Sequence, residues 1–256
     1  DVAALHNVQI DRVGLDKFGG VDQVAFGTLL NRDVSMVSVP AANPETGTII
    51  PLADVIRLIR TRTDAFIHID AGAAAGWGRL NTEGADVVSI SADALHGPEG
   101  IGALYIRDSI GSSLTCKPGS DIGTAVAALG DLSYLEKAER MRERLEKELL
   151  SIDNTPRNGF GERLPNTTNI SFVGVNGEAI ISRLNDHDII ASTGCACAAT
   201  GHTPSRILEA MDVPYTQAMG SIRFSLSRYT TDEEIDKVIE VIPDIITDLR
   251  RMADAI

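Results

Sequence analysis

Short apolar runs recur along the first half of the chain, with one clearly helical stretch between them. Residues 8–13 (VQIDRV) predict a strand, followed by a turn in KFGGVD. Residues 34–39 (VSMVSV) predict a continuous apolar strand of the kind covered on both faces. NPETGTIIP then reads as a loop. Over 52–63, Leu52, Val55, Ile56 and Ile59 recur at helical spacing. Further strands are predicted at 65–70, 85–91 and 102–107. Strand, helix, strand alternation implies a largely parallel sheet with helices on its faces.

Beyond residue 115 the pattern changes. Residues 133–152 form a charged amphipathic helix with Glu/Lys and Glu/Arg pairs at helical spacing. Strands are predicted at 168–173 and 221–227, and short helices at 177–185 and 204–212. A closing helix begins at Thr231 and Asp232, which supply its cap, and Pro243 is expected to kink it. The predicted fold class is therefore α/β: a three-layer, mostly parallel sheet domain over 1–120, joined to a C-terminal α+β small domain over 121–256.

Composition narrows the function classes. The chain has 256 residues, 43% hydrophobic and 23% charged, enough for a sizeable core. A formal net charge of −13 repels phosphate backbones and anionic bilayers, which argues against nucleic acid and membrane partners. No apolar run approaches the roughly 20 residues of a membrane span. The start shows no basic-then-apolar leader. It begins with Asp rather than Met, so a cropped or processed start is expected. Three cysteines do not make a disulfide framework, and a reducing, cytoplasmic setting is expected.

In a parallel sheet, chemistry gathers at the carboxyl ends of strands. NPETG, HIDAG and SADALHG end up there. Asp70 is a carboxylate at a strand end, serving either as a turn or cap residue or as a functional group. STGCACAAT (192–200) surrounds Cys195 and Cys197 with small residues. It reads either as a packing turn with inert thiols or as a loop presenting an accessible nucleophile. A metal set of Cys195, Cys197 and His202 matches no strong zinc spacing and shows no fourth ligand. Arg223, on an otherwise apolar strand, must reach either a structural ion pair or an anionic substrate group.

Taken in order, VSMVSVPAANPETGTIIPL, FIHIDAG, VVSISADALHGPEGIGALYI, LPNTTNISFVGVNGEAI, STGCACAAT, TPSRILEAM and GSIRFSLSRYTTDEEID resemble the successive blocks of NifS/IscS-type cysteine desulfurases. These belong to the class V aminotransferase group of fold-type I pyridoxal-phosphate (PLP) enzymes. The resemblance begins mid-family, so the first domain would be an incomplete PLP-transferase large domain. Family members take sulfur from L-cysteine and hold it as an enzyme persulfide. The resemblance implies that Asp70 pairs with the pyridine nitrogen and Ser91 contacts the cofactor phosphate. It further implies that Cys197 is the sulfur-accepting nucleophile and that Arg223 clamps the substrate carboxylate.

Several positions depart from the family pattern. Where the family has Ser-Ala-His-Lys, this chain has Ser91, Ala92, Asp93 and Ala94, so the Schiff-base lysine is an alanine. A cofactor-facing asparagine falls at Pro44, and a glutamine falls at Ala73. The five lysines are Lys17, Lys117, Lys137, Lys147 and Lys237, and none follows a core strand at the sheet's active end. PLP is thus implied by family, but covalent attachment is not expected; non-covalent binding, or none, is. The expected role is a desulfurase-like protein of sulfur mobilisation and iron–sulfur cluster assembly with impaired catalysis. The alternative is a non-catalytic binding or sulfur-relay subunit docking a scaffold protein or a full-length desulfurase. The resemblance also implies a homodimer or hetero-oligomer.

Overall fold

The structure, a computed structural model, describes residues 8–78, 80–92, 95–97, 100–111, 132–194 and 203–253. Its first sheet contains β1 (Met36–Pro40), β2 (Phe66–Asp70), β3 (Val87–Ser91) and β4 (Gly102–Ile106), in that spatial order. β1, β2 and β3 run parallel, and β4 closes the edge antiparallel to β3. Helix α1 (Gln23–Leu29) precedes β1, α2 (Leu52–Arg62) crosses from β1 to β2, and the short α3 (Asp108–Gly111) follows β4.

α2 crosses over because its apolar stripe fits one face of the sheet. Leu52, Val55, Ile56 and Ile59 are buried in one core with Val37, Val39, Ile67 and Ile69. Odd positions of β1 and β2 face this core and even positions face away. Met36 is 55% exposed and Phe66 52% exposed. β1 is therefore not the doubly covered strand that its run of apolar residues predicts. Its alternation of Met36, Ser38 and Pro40 with Val37 and Val39 carries the one-sided pattern.

Residues 8–13 form no strand. Val8 and Ile10 are exposed, and only Val13 packs against the core. An alternating segment without a neighbouring strand has nothing to satisfy its backbone. α1, absent from the sequence expectation, is capped by Asp22, whose carboxylate accepts from the amides of Val24 and Ala25 at 3.0 Å each. It buries only Phe26, so it leaves almost no periodic signal.

The second sheet is antiparallel, in the order β5 (Arg157–Asn158), β6 (Thr167–Ser171), β8 (Ser221–Ser225), β7 (Ser192–Thr193). Around it lie α4 (Leu135–Leu149), α5 (Gly177–Asn185), α6 (Arg206–Ala210), α7 (Tyr215–Ala218) and α8 (Asp232–Ala253). Ile170, Phe172, Ile180, Leu184, Ile222 and Ile242 fill a separate core. α8 runs through Pro243 as one helix. Its start is a reciprocal capping box: Thr231 Oγ1 accepts from Glu234 N, and Glu234 Oε2 accepts from Thr231 N. No helix among the described residues is long and apolar enough to cross a membrane.

The loop after β1 joins the two sheets. Ile49 N donates to Glu162 O at 2.9 Å, and Leu164 N donates to Gly47 O at 2.8 Å, with Thr48 bridging Arg163. Gly47 turns here with φ of +76°, and a Cβ at that position would meet Thr167 O at 3.0 Å. A left-handed turn against foreign backbone is a place for glycine.

Candidate active site

The carboxyl ends of β1, β2 and β3 converge on one edge of the first sheet. Pro40 pairs with Asp70, and Asp70 with Ser89, so Asp70 and Ser91 share a face of neighbouring parallel strands. Asp70 is exposed, and its Oδ1 accepts the Gly72 amide at 2.9 Å. This is the turn role open to it from sequence, and it leaves the carboxylate at the mouth of the strand ends. Ser91 is half-buried at the tip of β3, opposite Gly102.

On the same open face, His68 bridges three strands. Its Nδ1 lies 2.8 Å from Ser38 Oγ and its Nε2 lies 2.9 Å from Ser89 Oγ. His68 is not among the residues the sequence pattern singles out, although a histidine inside an apolar strand is a visible signal.

The second unit brings Arg223 to this edge. β8 places it in register with Asn169 and Ser192. Its guanidinium donates to the carbonyl of Pro44 at 3.3 Å and to Ser192 Oγ at 3.4 Å. Nε is buried without a partner, and among the described residues Arg223 closes no ion pair. Among the described residues the carboxylate whose charge it feels is Glu45, without a direct ion pair. The cation faces the strand-end loop with donor capacity to spare.

Beside it stands Glu45, only 7% exposed. Asn43 Oδ1 accepts from the amides of Glu45 and Thr46 at 3.0 and 3.1 Å, a local turn that aims the Glu45 side chain inward. Oε2 accepts the hydroxyl proton of Ser205, and Oε1 is buried without a partner among the described residues. Burial pushes the Glu45 carboxyl above the ordinary carboxylate range, against the lowering pull of the Ser205 hydrogen bond and the Arg223 charge. Glu45 sits in the NPETG loop, where no periodicity marks it as buried. Its partner is 160 residues away.

Cys197, Cys195 and His202 lie outside the described residues, as do Asp93 and Ala94. Among the described residues no group of three metal-ligating side chains gathers.

A PLP ring held at these strand ends would meet Asp70 and Ser91. A tethered ring also needs an amine there. Position 94 is alanine. Lys17 lies over the Phe18 ring, Lys137 donates to Thr230 O, and Lys147 and Lys237 sit on α4 and α8. Lys117 lies outside the described residues. The lysines described here do not fit a tethered group.

The class-V aminotransferase model matches residues 1–128 and 125–238. The chain belongs to the class-V aminotransferase family. Within it, the chain is of the NifS/IscS cysteine desulfurase type. It is 38% identical to a cysteine desulfurase of Nostoc sp. over 94% of this chain and 66% of that protein. It is 36% identical to the cysteine desulfurase NifS of Azotobacter vinelandii, over 99% of this chain and 68% of that one. A solved NifS-like protein superposes with a TM-score of 0.82 at 28% identity, covering 97% of this chain and 71% of that structure. A NifS-like protein from Rickettsia africae gives the same TM-score at 25% identity, over 96% of this chain and 72% of that structure. The chain thus spans about two-thirds of the length of these curated relatives.

Proposed function

We propose that this chain serves sulfur mobilisation for iron–sulfur cluster assembly, as a desulfurase-type protein that carries sulfur on Cys197 without a tethered cofactor of its own. The observation that carries this reading is the contrast between the two sides of the site. Arg223 and the cysteine-bearing stretch keep the family's chemistry, while position 94 offers no amine. When bound, PLP supplies an electron sink for breaking bonds at the substrate's α and β carbons. The residues here retain only the ring partner Asp70 and the phosphate contact Ser91.

The step assigned to this chain is thiol exchange. The Cys197 thiolate attacks the outer sulfur of a donor persulfide. The donor S–S bond breaks, a new S–S bond forms on Cys197, and the donor leaves as a thiolate. No net oxidation occurs. Arg223, anchored by donating to the Pro44 carbonyl, would hold the carboxylate of a cysteine-derived ligand, its planar guanidinium fitting both oxygens. The donor is a full-length desulfurase, and the acceptor is a scaffold protein or a second copy of this chain. The first unit spans 1–120 and the second, 121–256, holds the sulfur-bearing cysteine.

A slow PLP enzyme is the second reading, supported by Asp70 and Ser91 at adjacent strand ends and by Arg223 bonded to the Pro44 carbonyl of the loop after β1. One experiment separates the two. The chain is mixed with PLP and L-cysteine, and visible absorbance and sulfide release are followed. A parallel sample receives a persulfide-loaded desulfurase, and Cys197 is read by mass spectrometry. The relay predicts a gain of one sulfur at Cys197 and no turnover with PLP. Sulfide production with PLP, abolished by Asp70→Asn, would replace it with the enzyme reading.

A further inference from the structure

One face of the second sheet turns Ile170 and Ile222 into a core, and the opposite face is polar. On that polar face the register pairs Asn169 with Arg223 and Ser171 with Ser221 across β6 and β8. Strand residues two apart point the same way, so these four side chains stand at the corners of one rectangle. Its short edge is about 5 Å between Cβ atoms and its long edge about 7 Å. Asn169, Ser171 and Ser221 are fully buried. The Ser171 corner is engaged: Asn158 Nδ2 donates to its Oγ and to Asn169 Oδ1, both at 2.7 Å. Gln217 Nε2 in turn donates to Asn158 Oδ1 at 2.9 Å. Three amides thus line up in one direction and fix Asn169 with its oxygen towards Asn158. The other three corners each keep an unengaged atom. Among the described residues, Asn169 Nδ2, Ser221 Oγ and Arg223 Nε are buried without a hydrogen-bond partner.

We propose that Asn169 is a positioning residue for the Arg223 clamp, acting through one buried water that Asn169 Nδ2, Arg223 Nε and Ser221 Oγ share. This rests on the carboxylate-clamp reading of Arg223 given above. Asn169 Nδ2 and Arg223 Nε cannot bond to each other, because both are donors. An oxygen between them accepts from both and returns a proton to Ser221 Oγ. A buried water makes about three hydrogen bonds to groups that otherwise go unpaired, and this rectangle offers three. The guanidinium is then held at three points: Nε by the water, and its two Nη groups by Pro44 O at 3.3 Å and Ser192 Oγ at 3.4 Å. Each Nη keeps a second proton, and together these fit the two oxygens of a carboxylate end-on. The amide train carries the orientation of the clamp back to Gln217 on α7.

The test needs no cofactor. It follows the magnetic resonance signal of the Arg223 Nε–Hε group, assigned by its loss in Arg223→Lys. Exchange of this proton with solvent is measured relative to that of Arg163, whose guanidinium is tied to Glu146 in the same unit. A variant that merely loosens the unit speeds both and leaves the ratio unchanged. Asn169→Ala is expected to raise the ratio about tenfold, the scale of one lost hydrogen bond to a charged group. Asn169→Asp keeps the oxygen facing Asn158 and sets a second one against Nε, so slow exchange is expected to return. A purely structural role predicts the reverse order, because Asp adds a buried charge. A ratio within about twofold of the wild type in folded Asn169→Ala, or an equal rise in Asn169→Asp, overturns the proposal. If Asn169→Ala fails to fold, Ser221→Ala decides it, with a rise of about threefold expected and none overturning it. L-Cysteine is titrated into the same samples, and its affinity is read from the shift of the Arg223 signal. Asn169→Ala is expected to bind it about tenfold more weakly than the wild type. Undiminished affinity there overturns the positioning role whatever the ratio, and leaves the clamp standing. A raised ratio with no binding by the wild type sinks the clamp reading and leaves the tie to Asn169 standing.

Discussion

Two buried glutamates show how differently the halves of this molecule use a charge. Glu146 on α4 is surrounded by donors. Arg157 pairs with its Oε1, Arg163 Nη1 lies 2.8 Å from Oε2, and Thr168 Oγ1 donates to Oε2 at 3.1 Å. Desolvation opposes its charge, but the two guanidiniums prevail and hold its pKa below the ordinary value. Among the described residues Glu45 has one hydroxyl donor and one unpaired oxygen, and its pKa is raised. The first carboxylate ties a helix to a sheet. The second is under-satisfied among the described residues and stands beside Arg223 in the loop after β1. The two carboxylates are almost equally buried, so what separates them is the number of donors each meets among the described residues.

The sharpest way to break this contrast is Glu146→Ala. It strands Arg157 and Arg163 against a buried cavity and should cost about 3–5 kcal/mol, read from the urea midpoint. A loss as small as that of an exposed residue would remove Glu146 from the structural side. Ser205→Ala should cost less, about 1–2 kcal/mol, because it deletes an N-cap and the hydroxyl donor to Glu45. Glu45→Gln should be neutral or stabilising by about 1 kcal/mol near neutral pH, since the amide avoids a buried charge.

The pH dependences should have opposite signs. Glu146 has a depressed pKa, so its contribution is present above the ordinary 4.5 and is lost as pH falls through its folded value. Glu45 has a raised pKa, so its contribution is present below 4.5 and is lost as pH rises through its folded value. Unfolding midpoints at about pH 4 and pH 8 should show Glu45→Gln gaining on the wild type as pH rises. Glu146→Gln should lose ground over the same range. The smallest effect belongs to the open sheet face, where Phe66→Ala should change stability by less than about 0.5 kcal/mol.

Much of this was legible in the chain. The helical spacing of Leu52, Val55, Ile56 and Ile59 gave α2 to within a residue, and the closing helix began at Thr231 and Asp232 as its cap residues required. Asp70, Ser91 and Arg223 came from the family resemblance. In the structure Asp70 and Ser91 stand on neighbouring strands, and Arg223, on β8 of the other sheet, reaches the Pro44 carbonyl, placements that spacing alone could not supply. Two kinds of fact stayed hidden. Whether an apolar strand is covered on one face or two depends on neighbours, so β1 looked more buried than it is. Glu45 depends on a contact between distant segments, and a glutamate next to a proline reads locally as an ordinary loop residue. Residues 8–13 misled for a related reason: alternation predicts a strand only where a sheet edge is waiting for it.

The stitch between Gly47–Ile49 and Glu162–Leu164 has a mechanical consequence. Main-chain hydrogen bonds running both ways across it make the junction a short zipper rather than two surfaces sliding past each other. A molecule pulled between handles on the two sheets should yield in a single rip instead of two. In hydrogen exchange, the amides of Ile49 and Leu164 should open together with the molecule as a whole.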